Sequence, residues 1–270
     1  MPLGASRLNF LTKPAAVAGT TYGTGIYGVD SDGGTADFDM VGLFDASGYT
    51  ALTVSIWVYV NAYTSGNLFF FEDYGGGTYG LPTRLDVDGG WICASSYDVN
   101  TSRKWFAGYG QNDAKITAGG NLGLNQWIHV LYSFDSQNYS SNPPRLYIND
   151  TLITNYTTPN ANWTINTDPA YSGDQFGFGC RAGGGLSIDA SYSDCWMHPS
   201  YTDLSVTGNR RNFITAGGAP ADLGNDGSNP GVTPMNFYSG PVGDFNTQRG
   251  TGNAVKDDRG TWLDVDGPAI

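Results

Sequence analysis

Few residues in this chain could carry out acid–base or nucleophilic chemistry. Hydrolysis of a glycosidic bond needs two neighbouring carboxyl groups, one acting as the acid and the other as the nucleophile or base. Glu72 is the single glutamate among 25 acidic residues, and no spacing of the aspartates marks a catalytic pair. The acidic residues therefore do not predict a glycoside hydrolase, and we expect the protein not to be an enzyme.

The histidines and cysteines form no recognisable catalytic or zinc-binding motif. Serine and cysteine hydrolases need a histidine base beside the nucleophile, but His129 lies in a strand-like segment and His198 precedes a proline. Cys93, Cys180 and Cys195 lack the paired spacing of a disulfide framework or a zinc site. We expect reduced thiols, with Cys180 and Cys195 as the pair that could form a bridge in an oxidising environment.

Two short segments place aspartates where a cation could be held. Asp30 and Asp32 lie in a glycine-rich turn, and Asp86 and Asp88 precede a Gly-Gly pair. Calcium takes about six to eight oxygen ligands, which turns of this kind can bring together. Aspartate is also a turn-forming residue, which is the interpretation we favour. Calcium is thus the one cofactor that the sequence suggests, and the prediction is that none is required.

Aromatic residues make up 14% of the chain, and some of them could bind sugars. Sugars stack their apolar faces on aromatic rings, while Asn and Asp hydrogen-bond the hydroxyl groups. Trp57 and Trp127 lie within hydrophobic segments and are expected in the core. Core packing and sugar stacking are both open for the aromatic residues near expected loops, which are Trp91, Tyr97, Trp105, Tyr109 and Trp163.

The charge of the chain argues against two classes of partner. The formal net charge of −12 opposes nucleic-acid binding, because affinity for phosphates depends on clustered lysine and arginine. The N-terminus lacks the continuous apolar region of a secretory signal. No apolar run approaches the length of about 18 residues that a membrane-spanning helix needs. We expect synthesis in a cytoplasm, with no nucleic-acid partner and no membrane insertion.

Many short segments alternate apolar and polar residues in the manner of β-strands. Glycine is common, at 39 residues, whereas glutamate and lysine are scarce, which leaves little material for exposed helices. Turn signals separate the segments, as in an antiparallel sandwich or barrel. The expected strands are Thr53–Val60, Asn67–Glu72, Trp91–Tyr97, Lys104–Tyr109, Trp127–Phe134, Gln175–Cys180 and Ile188–Trp196, with a hairpin of Arg145–Ile148 and Thr151–Ile153 around Asn149 and Asp150.

The two ends of the chain differ in composition from its middle. Residues 1–25 are expected to form an irregular arm, and residues 206–270 a Gly- and Pro-rich extension with isolated aromatic residues. Residues 26–205 are expected to form one sandwich. Fully disordered tails seldom carry such aromatic residues, so the extension is expected to be anchored to a folded surface.

Three strand motifs resemble those of laminin-G-like, concanavalin-A-type domains. They are Ser55-Ile56-Trp57-Val58, Trp127-Ile128-His129-Val130 and Leu146-Tyr147-Ile148-Asn149-Asp150, in the order and spacing of that family. The resemblance implies an all-β, antiparallel jelly-roll sandwich, flanked here by the N-terminal arm and the C-terminal extension. The resemblance also implies glycan binding as the function typical of this fold.

Segments near both ends resemble virion structural proteins of tailed phages that carry such a domain. They are residues 4–11, 197–205, 209–214 and 220–228. The resemblance implies a non-enzymatic structural protein of the virion, assembled in the host cytoplasm. It would be either an exterior capsid decoration or cement protein, or a component of the tail or fibre. The alternative is a lectin-like module that recognises host surface glycans.

In the virion interpretation, the two ends dock the protein onto other capsid or tail proteins and onto further copies of the same chain. A few buried anchors supply most of the energy of such an interface. The expected assembly anchors are Phe10, Arg210, Arg211, Phe213, Phe237 and Trp262.

Overall fold

The computed structural model describes the side chains of residues 51–59, 126–153, 190–252 and 267–268, with gaps at 134, 136–137, 139–140, 144, 242 and 246, and elsewhere the backbone of strands. Within these residues there are fifteen β-strands and two short helices, α1 (Thr207–Arg211) and α2 (Val242–Phe245). Neither helix is long enough to cross a membrane. The strands are β1 (Tyr27–Asp30), β2 (Phe38–Asp39), β3 (Ala51–Val60), β4 (Gly66–Asp73), β5 (Thr83–Asp88), β6 (Trp91–Tyr97), β7 (Arg103–Gly108), β8 (Trp127–Asp135), β9 (Arg145–Ile148), β10 (Thr151–Leu152), β11 (Asp174–Phe178), β12 (Ala190–His198), β13 (Asn236–Tyr238), β14 (Val255–Lys256) and β15 (Leu263–Asp266).

The larger sheet has eight strands in the order β10-β9-β8-β3-β12-β1-β15, and β13 also pairs with β12. All of these pairs are antiparallel. One side of β12 lies along β3, while the other side pairs first with β1 and then with β13. Two strands from the expected C-terminal extension, β13 and β15, therefore belong to the sheet itself.

The smaller sheet has five antiparallel strands in the order β11-β4-β5-β6-β7, and β14 pairs with β2 in a separate two-stranded ribbon. Two antiparallel sheets joined by long crossovers make an all-β jelly-roll sandwich. The fold class predicted from the sequence is confirmed. The expected N-terminal arm, residues 1–25, lies outside the described residues.

One face of the larger sheet is apolar because alternate residues of each strand point to the same side. In a sandwich, such a face packs against the second sheet. The buried side chains of this face include Leu52, Val54, Ile56 and Val58 of β3, Ile128, Val130 and Tyr132 of β8, Leu146 of β9, and Tyr192 and Met197 of β12.

The opposite face of the larger sheet, called the outer face below, mixes hydroxyl groups with aromatic rings. Its residues are nevertheless as buried as those of the apolar face, because chain that follows β12 runs across them. We call residues 199–235 and 239–252 the covering segment; residues 236–238 between them form β13 of the sheet. The buried residues of the outer face include Thr53, Ser55 and Trp57 of β3, His129, Leu131 and Ser133 of β8, Tyr147 of β9 and Trp196 of β12.

The predicted hairpin between β9 and β10 is confirmed. Its two central residues, Asn149 and Asp150, have φ angles of 47° and 62°, as a two-residue type I′ turn requires. Asn and Asp tolerate this left-handed backbone better than other non-glycine residues do. The turn projects from the larger sheet toward the covering segment.

Every strand predicted from the sequence is observed, with ends that differ by at most two residues. Strand β5 was not predicted, because Asp86 and Asp88 before two glycines favour a turn. In the structure both aspartates belong to β5, where they pair with Cys93 and Trp91 of β6. A strand that carries Asp at alternate positions can still present Leu85 and Val87 on its other face.

Candidate functional site

A cluster of buried apolar side chains joins the outer face to the covering segment. The rings of Trp196 and Phe213 meet edge to face, with 4.9 Å between their centroids. The indole Nε1–H of Trp196 donates to the carbonyl oxygen of Gly227 at 2.8 Å. Full burial stabilises the fold by about 1.5–3 kcal/mol for each large apolar side chain. The cluster comprises Leu131, Tyr147, Trp196 and Phe237 of the sheet with Leu204, Phe213 and Leu223 of the covering segment.

Gly227 of the covering segment occupies a confined space beside Trp196. This residue has a φ of 77°, and a Cβ atom there would lie 2.8 Å from ring atoms of Phe237 and Pro234. Glycine is required at this point for two reasons, the left-handed backbone and the lack of space. Its carbonyl oxygen is thereby held against the indole of Trp196.

Hydroxyl groups of the outer face are also bonded to the covering segment. Thr53 Oγ1 lies 2.9 Å from Ser133 Oγ and donates to the carbonyl oxygen of Ser200 at 2.7 Å. The backbone N–H of Thr202 donates to Ser133 Oγ at 2.9 Å. Thr53 and Ser133 are fully buried. These polar groups are satisfied within the chain and are closed to a ligand.

A serine–histidine pair lies on the same face. Ser55 Oγ is 2.9 Å from Nε2 of His129, a distance at which a histidine can activate a serine nucleophile. Both residues are enclosed, at 1% and 0% exposed, and the His129 ring packs against Trp57 with 4.9 Å between centroids. Burial lowers the pKa of His129 to about 3, despite the opposing charge of Asp150.

The same pair lacks the third group of a catalytic triad. Among the described residues, Nδ1 of His129 has no hydrogen-bond partner, so nothing orients the imidazole as a base. A neutral and enclosed ring cannot reach a substrate. His129 lies in a strand, as its sequence segment indicated, and the pair is packed inside the fold.

Asp150, in the hairpin turn, ties the covering segment to the sheet. Its two carboxylate oxygens accept hydrogen bonds from Arg210 Nε and Arg211 Nη2, each at 2.6 Å. The hydrogen bond from Arg211 is the main cause that holds the pKa of Asp150 below its ordinary value, and the bond from Arg210 adds to it. The Arg210 guanidinium also lies 4.6 Å from the centre of the Tyr147 ring, and its Nη1 donates to the carbonyl oxygen of Leu204. We call this group the Asp150 clip.

Four of the six expected assembly anchors lie in the described residues, and all four contact their own chain. Phe213 and Phe237 are 2% and 0% exposed in the cluster described above, and Arg210 and Arg211 belong to the Asp150 clip. Contrary to expectation, the two phenylalanines are not available to a neighbouring chain, because they close the outer face. The other two anchors, Phe10 and Trp262, lie outside the described residues.

Three of the five aromatic residues considered for sugar binding lie on neighbouring strands of the smaller sheet. Trp91 and Tyr97 are the first and last residues of β6, and Trp105 lies in β7 opposite Ser95. The other two, Tyr109 and Trp163, lie outside the described residues. Of the two tryptophans expected in the core, Trp57 is 4% exposed, whereas Trp127 is half-buried beside Tyr59.

Three of the four aspartates considered as calcium ligands lie in strands. Asp30 ends β1, opposite Ser191, and Asp86 and Asp88 lie in β5. Asp32 lies outside the described residues. Among the side chains that the structure describes, no group of three or more His, Cys, Asp or Glu residues could hold a metal ion.

Cys195 is a free and fully buried thiol next to a bulge in β12. Burial raises its pKa well above the ordinary value, with a smaller contribution from the neighbouring Asp194. Its suggested bridge partner, Cys180, lies outside the described residues. A buried thiol with a raised pKa is an unreactive core residue.

Comparison with solved structures gives likenesses at low sequence identity. A candidate carbohydrate-binding protein from Bacteroides ovatus ATCC 8483 is 13% identical, with a TM-score of 0.53 over 92% of this chain and 62% of that one. Domains LG4-5 of the mouse laminin alpha1 chain are 13% identical, with a TM-score of 0.43 over 72% of this chain and 46% of that one. This chain thus spans less than two thirds of either protein.

The family of the chain is shown by its sequence. Comparison with curated protein sequences gave no match. The model of one protein family matches residues 30–192, which is more than half of the chain and includes β3 to β11. Together with the antiparallel sandwich, this match shows that the chain belongs to the concanavalin A-like lectin/glucanases superfamily.

Proposed function

We propose that this protein is a lectin-like, carbohydrate-binding module whose binding surface is one face of the smaller sheet. The observation that carries the proposal is the closure of the outer face of the larger sheet by the covering segment. With that face filled by Trp196, Phe213 and Phe237, a ligand has no access to it. The smaller sheet is the other broad strand surface of the sandwich, and we propose that it binds the glycan.

The register of the smaller sheet divides its positions into two faces. Positions Leu85, Val87, Ile92 and Ala94 alternate on one face of β5 and β6, and Phe69 of β4 pairs with Leu85. These five positions are apolar and suit the interior of the sandwich, while Thr83, Ser96 and Lys104 follow on the same face at the end of the strands.

The opposite face carries the polar and aromatic positions of β5, β6 and β7 that were considered above. Asp86 pairs with Cys93, Asp88 with Trp91, and Ser95 with both Arg84 and Trp105. Tyr97 follows Ser95 by two residues and therefore falls on the same face. We call the face defined by Asp86, Asp88, Trp91, Tyr97 and Trp105 the platform. Aromatic positions beside carboxylates are the combination that binds sugar rings and their hydroxyls.

We propose that the platform binds without cleaving. A glycosidase needs two carboxyl groups about 5–9.5 Å apart, one of them protonated. Glu72, the single glutamate, follows Phe71, which pairs with Thr83 of the neighbouring strand β5. Because the strands are antiparallel, Glu72 lies at the level of position 82, four residues along β5 from Asp86. Four residues of strand span roughly 13 Å. On the platform, Asp86 and Asp88, two residues apart, are the pair that hydrolysis would have to use.

A glycan array with purified protein tests the proposal, with binding followed up by tryptophan fluorescence. We expect saturable binding that Trp105→Ala weakens at least tenfold, while Trp127→Ala on the other sheet leaves it unchanged. Chromatography of the incubated glycan should show no shortened products. Products that disappear in Asp86→Asn would instead identify an enzyme, and no binding across a broad array by folded protein would remove the lectin role.

We also propose a place in a phage particle, with host surface glycans as the ligands of the platform and other virion proteins and copies of this chain as partners. This proposal is carried by the resemblance to tailed-phage virion proteins of residues 4–11, 197–205, 209–214 and 220–228. Docking would use surfaces other than Phe213 and Phe237, for example the exposed Val206 and Val232. Labelling the protein on intact particles tests it, and absence from purified particles would contradict it.

A further inference from the structure

We propose that the covering segment is a proton-sensitive strap, which leaves the outer face of the larger sheet when acid charges the two histidines of the chain. This device is independent of the proposed glycan binding. It follows from where the structure places His129 and His198 and from what each of them contacts.

Both histidines lie on the outer face, where the covering segment meets the sheet. The chain contains two histidines in all. His129 pairs with Trp57 and His198 pairs with Thr53, and these two partners are outer-face residues of β3. Histidine is the one side chain that ordinarily gains positive charge between about pH 8 and pH 5. In mild acid, new positive charge therefore arises under the covering segment and not on the apolar face inside the sandwich.

The closed arrangement disfavours a charged His129. The residue is fully buried, and its ring packs against that of Trp57. Nε2 is bonded to Ser55, but Nδ1 has no hydrogen-bond partner among the described residues. A charged imidazole carries an N–H on both nitrogens, so one buried donor would lack an acceptor. Burial accordingly lowers the pKa of His129 to about 3.

His129 is connected to the covering segment through the hairpin turn. Its backbone N–H donates to Asn149 Oδ1 at 2.7 Å, and the backbone N–H of Asn149 donates to the carbonyl oxygen of His129 at 2.9 Å. The next residue, Asp150, holds Arg210 and Arg211 in the clip. Among the described residues, Asp150 is the charged group that favours a protonated His129, and its attraction is smaller than the cost of burial. The two arginines offset that attraction.

His198 lies where the chain leaves β12 and the covering segment begins. Its ring stacks on that of Trp196 with 6.0 Å between centroids, and its Nδ1 lies 2.6 Å from Ser200 Oγ. Burial lowers the pKa of His198, and no charged group of the described residues contributes to that shift. Arg145, with Asp203 at 3.8 Å, stands three strands away on the same row of the sheet. A charge on His198 therefore acts on Trp196, against which the covering segment is packed.

The sign of the pH effect follows from these placements. Opening exposes both histidines to water, where their pKa returns to 6.5. Below pH 6.5 the open state binds more protons than the closed state, so opening is favoured as the pH falls toward 3. Each buried histidine can raise the opening equilibrium by up to about tenfold per pH unit. Asp150 adds to the effect only below about pH 4, where it loses the charge that the arginines bond.

Amide hydrogen exchange measured by mass spectrometry tests the proposal, because it detects openings that are rare. Between about pH 6.5 and pH 5, the protection of residues 199–223 should fall about tenfold or more after correction for the intrinsic exchange rate. Strand β3 should stay better protected than this segment at every pH, because the inner face of its sheet remains packed. Equal protection of the two at every pH would mean that the segment opens only with the whole domain, and would overturn the proposal.

Matched variants assign the pH dependence to the histidines. His129→Gln and His198→Gln should each reduce the fall in protection, and the double variant should show none. Asp150→Asn should lower protection by a constant factor over this range and keep the pH dependence. Asp203→Asn is the control, because an exposed carboxylate with a lowered pKa does not change its charge there.

Two results with these variants contradict the proposal. One is a wild-type protection that does not change with pH, and the other is a pH dependence that survives in the double variant. If His129→Gln does not fold, an undiminished pH dependence in His198→Gln overturns the proposal by itself.

Discussion

Replacing Asp150 by Asn probes how firmly the covering segment is held to the sheet. Asn keeps the size of the side chain and tolerates the left-handed turn backbone, so the hairpin itself should survive. The substitution removes the charge that two arginines share, at 2.6 Å each. Arg210 and Asp150 have side chains only 12% and 22% exposed, so water can replace the lost contacts only in part.

The magnitude follows from the number and kind of bonds. A hydrogen bond to a charged group contributes about 1.5–3 kcal/mol, and a neutral one about half of that. The amide oxygen of the introduced side chain can retain one hydrogen bond from an arginine. We therefore expect a loss of about 2 kcal/mol in the free energy of unfolding, or a fall of roughly 4–8 °C in Tm for a domain of this size.

The effect should depend on pH with a definite sign. The arginines lower the pKa of Asp150 in the folded protein, so its contribution is fully present above the unfolded value of about 3.9. It is lost as the pH falls through the lower, folded value. The difference between Asp150→Asn and the wild type should therefore be full at neutral pH and shrink as the pH falls below about 4.

Urea unfolding at several pH values measures both quantities. Asp203→Asn is the matched control, because its contact with Arg145 is longer, at 3.8 Å, and its side chain is 47% exposed. We expect the control to cost less than about 1 kcal/mol. A loss below about 0.5 kcal/mol for Asp150→Asn, or a difference from the wild type that does not change with pH, would refute this account of the clip.

Three further predictions concern the outer face and its cover. Gly227→Ala should lower stability by about 1–3 kcal/mol more than Gly231→Ala, because both have positive φ but only Gly227 lacks space for a Cβ atom; equal losses in urea unfolding would contradict this. Phe213→Ala should cost about 3–5 kcal/mol and expose the covering segment to proteolysis, whereas Val206→Ala, at a side chain 49% exposed, should change stability by less than about 0.5 kcal/mol. His129 stays neutral when folded, with a pKa of about 3, so its contribution is present above pH 6.5 and lost as the pH falls from 6.5 toward 3. Between these pH values the free energy of unfolding of the wild type should change by up to about 1.4 kcal/mol per pH unit because of His129. In His129→Gln this pH dependence should disappear.

The sandwich was predictable because its strands carry local signals. Residues 53–60 and 127–134 alternate apolar with polar or aromatic residues, and the Asn149–Asp150 pair has the backbone preference of a type I′ turn. Strand β5 escaped prediction because the aspartates at 86 and 88 occupy one face of the strand and resemble a turn sequence. Only pairing with β4 and β6 on both sides reveals it as a strand.

The covering segment was only partly predictable. Phe213 and Phe237, isolated in Gly- and Pro-rich sequence, indicate that the segment needs a surface to bury them. They do not indicate whose surface that is. The partners are far away in sequence, since Arg210 and Arg211 bond Asp150 from 60 and 61 residues away. No local period encodes such contacts, which depend on the sheet already being assembled.

The pairing of β1 with β15 has a consequence for how the domain can be built into larger proteins. Tyr27, at the start of β1, lies directly opposite Asp266, at the end of β15, and the two strands run antiparallel. The first residue of β1 and the last residue of β15 are therefore neighbours at one end of the larger sheet. A domain whose first and last strands lie side by side can be inserted into a loop of a host protein without increasing the distance between the two ends of that loop. A partner protein joined before Tyr27 and one joined after Asp266 would therefore attach at the same end of the larger sheet.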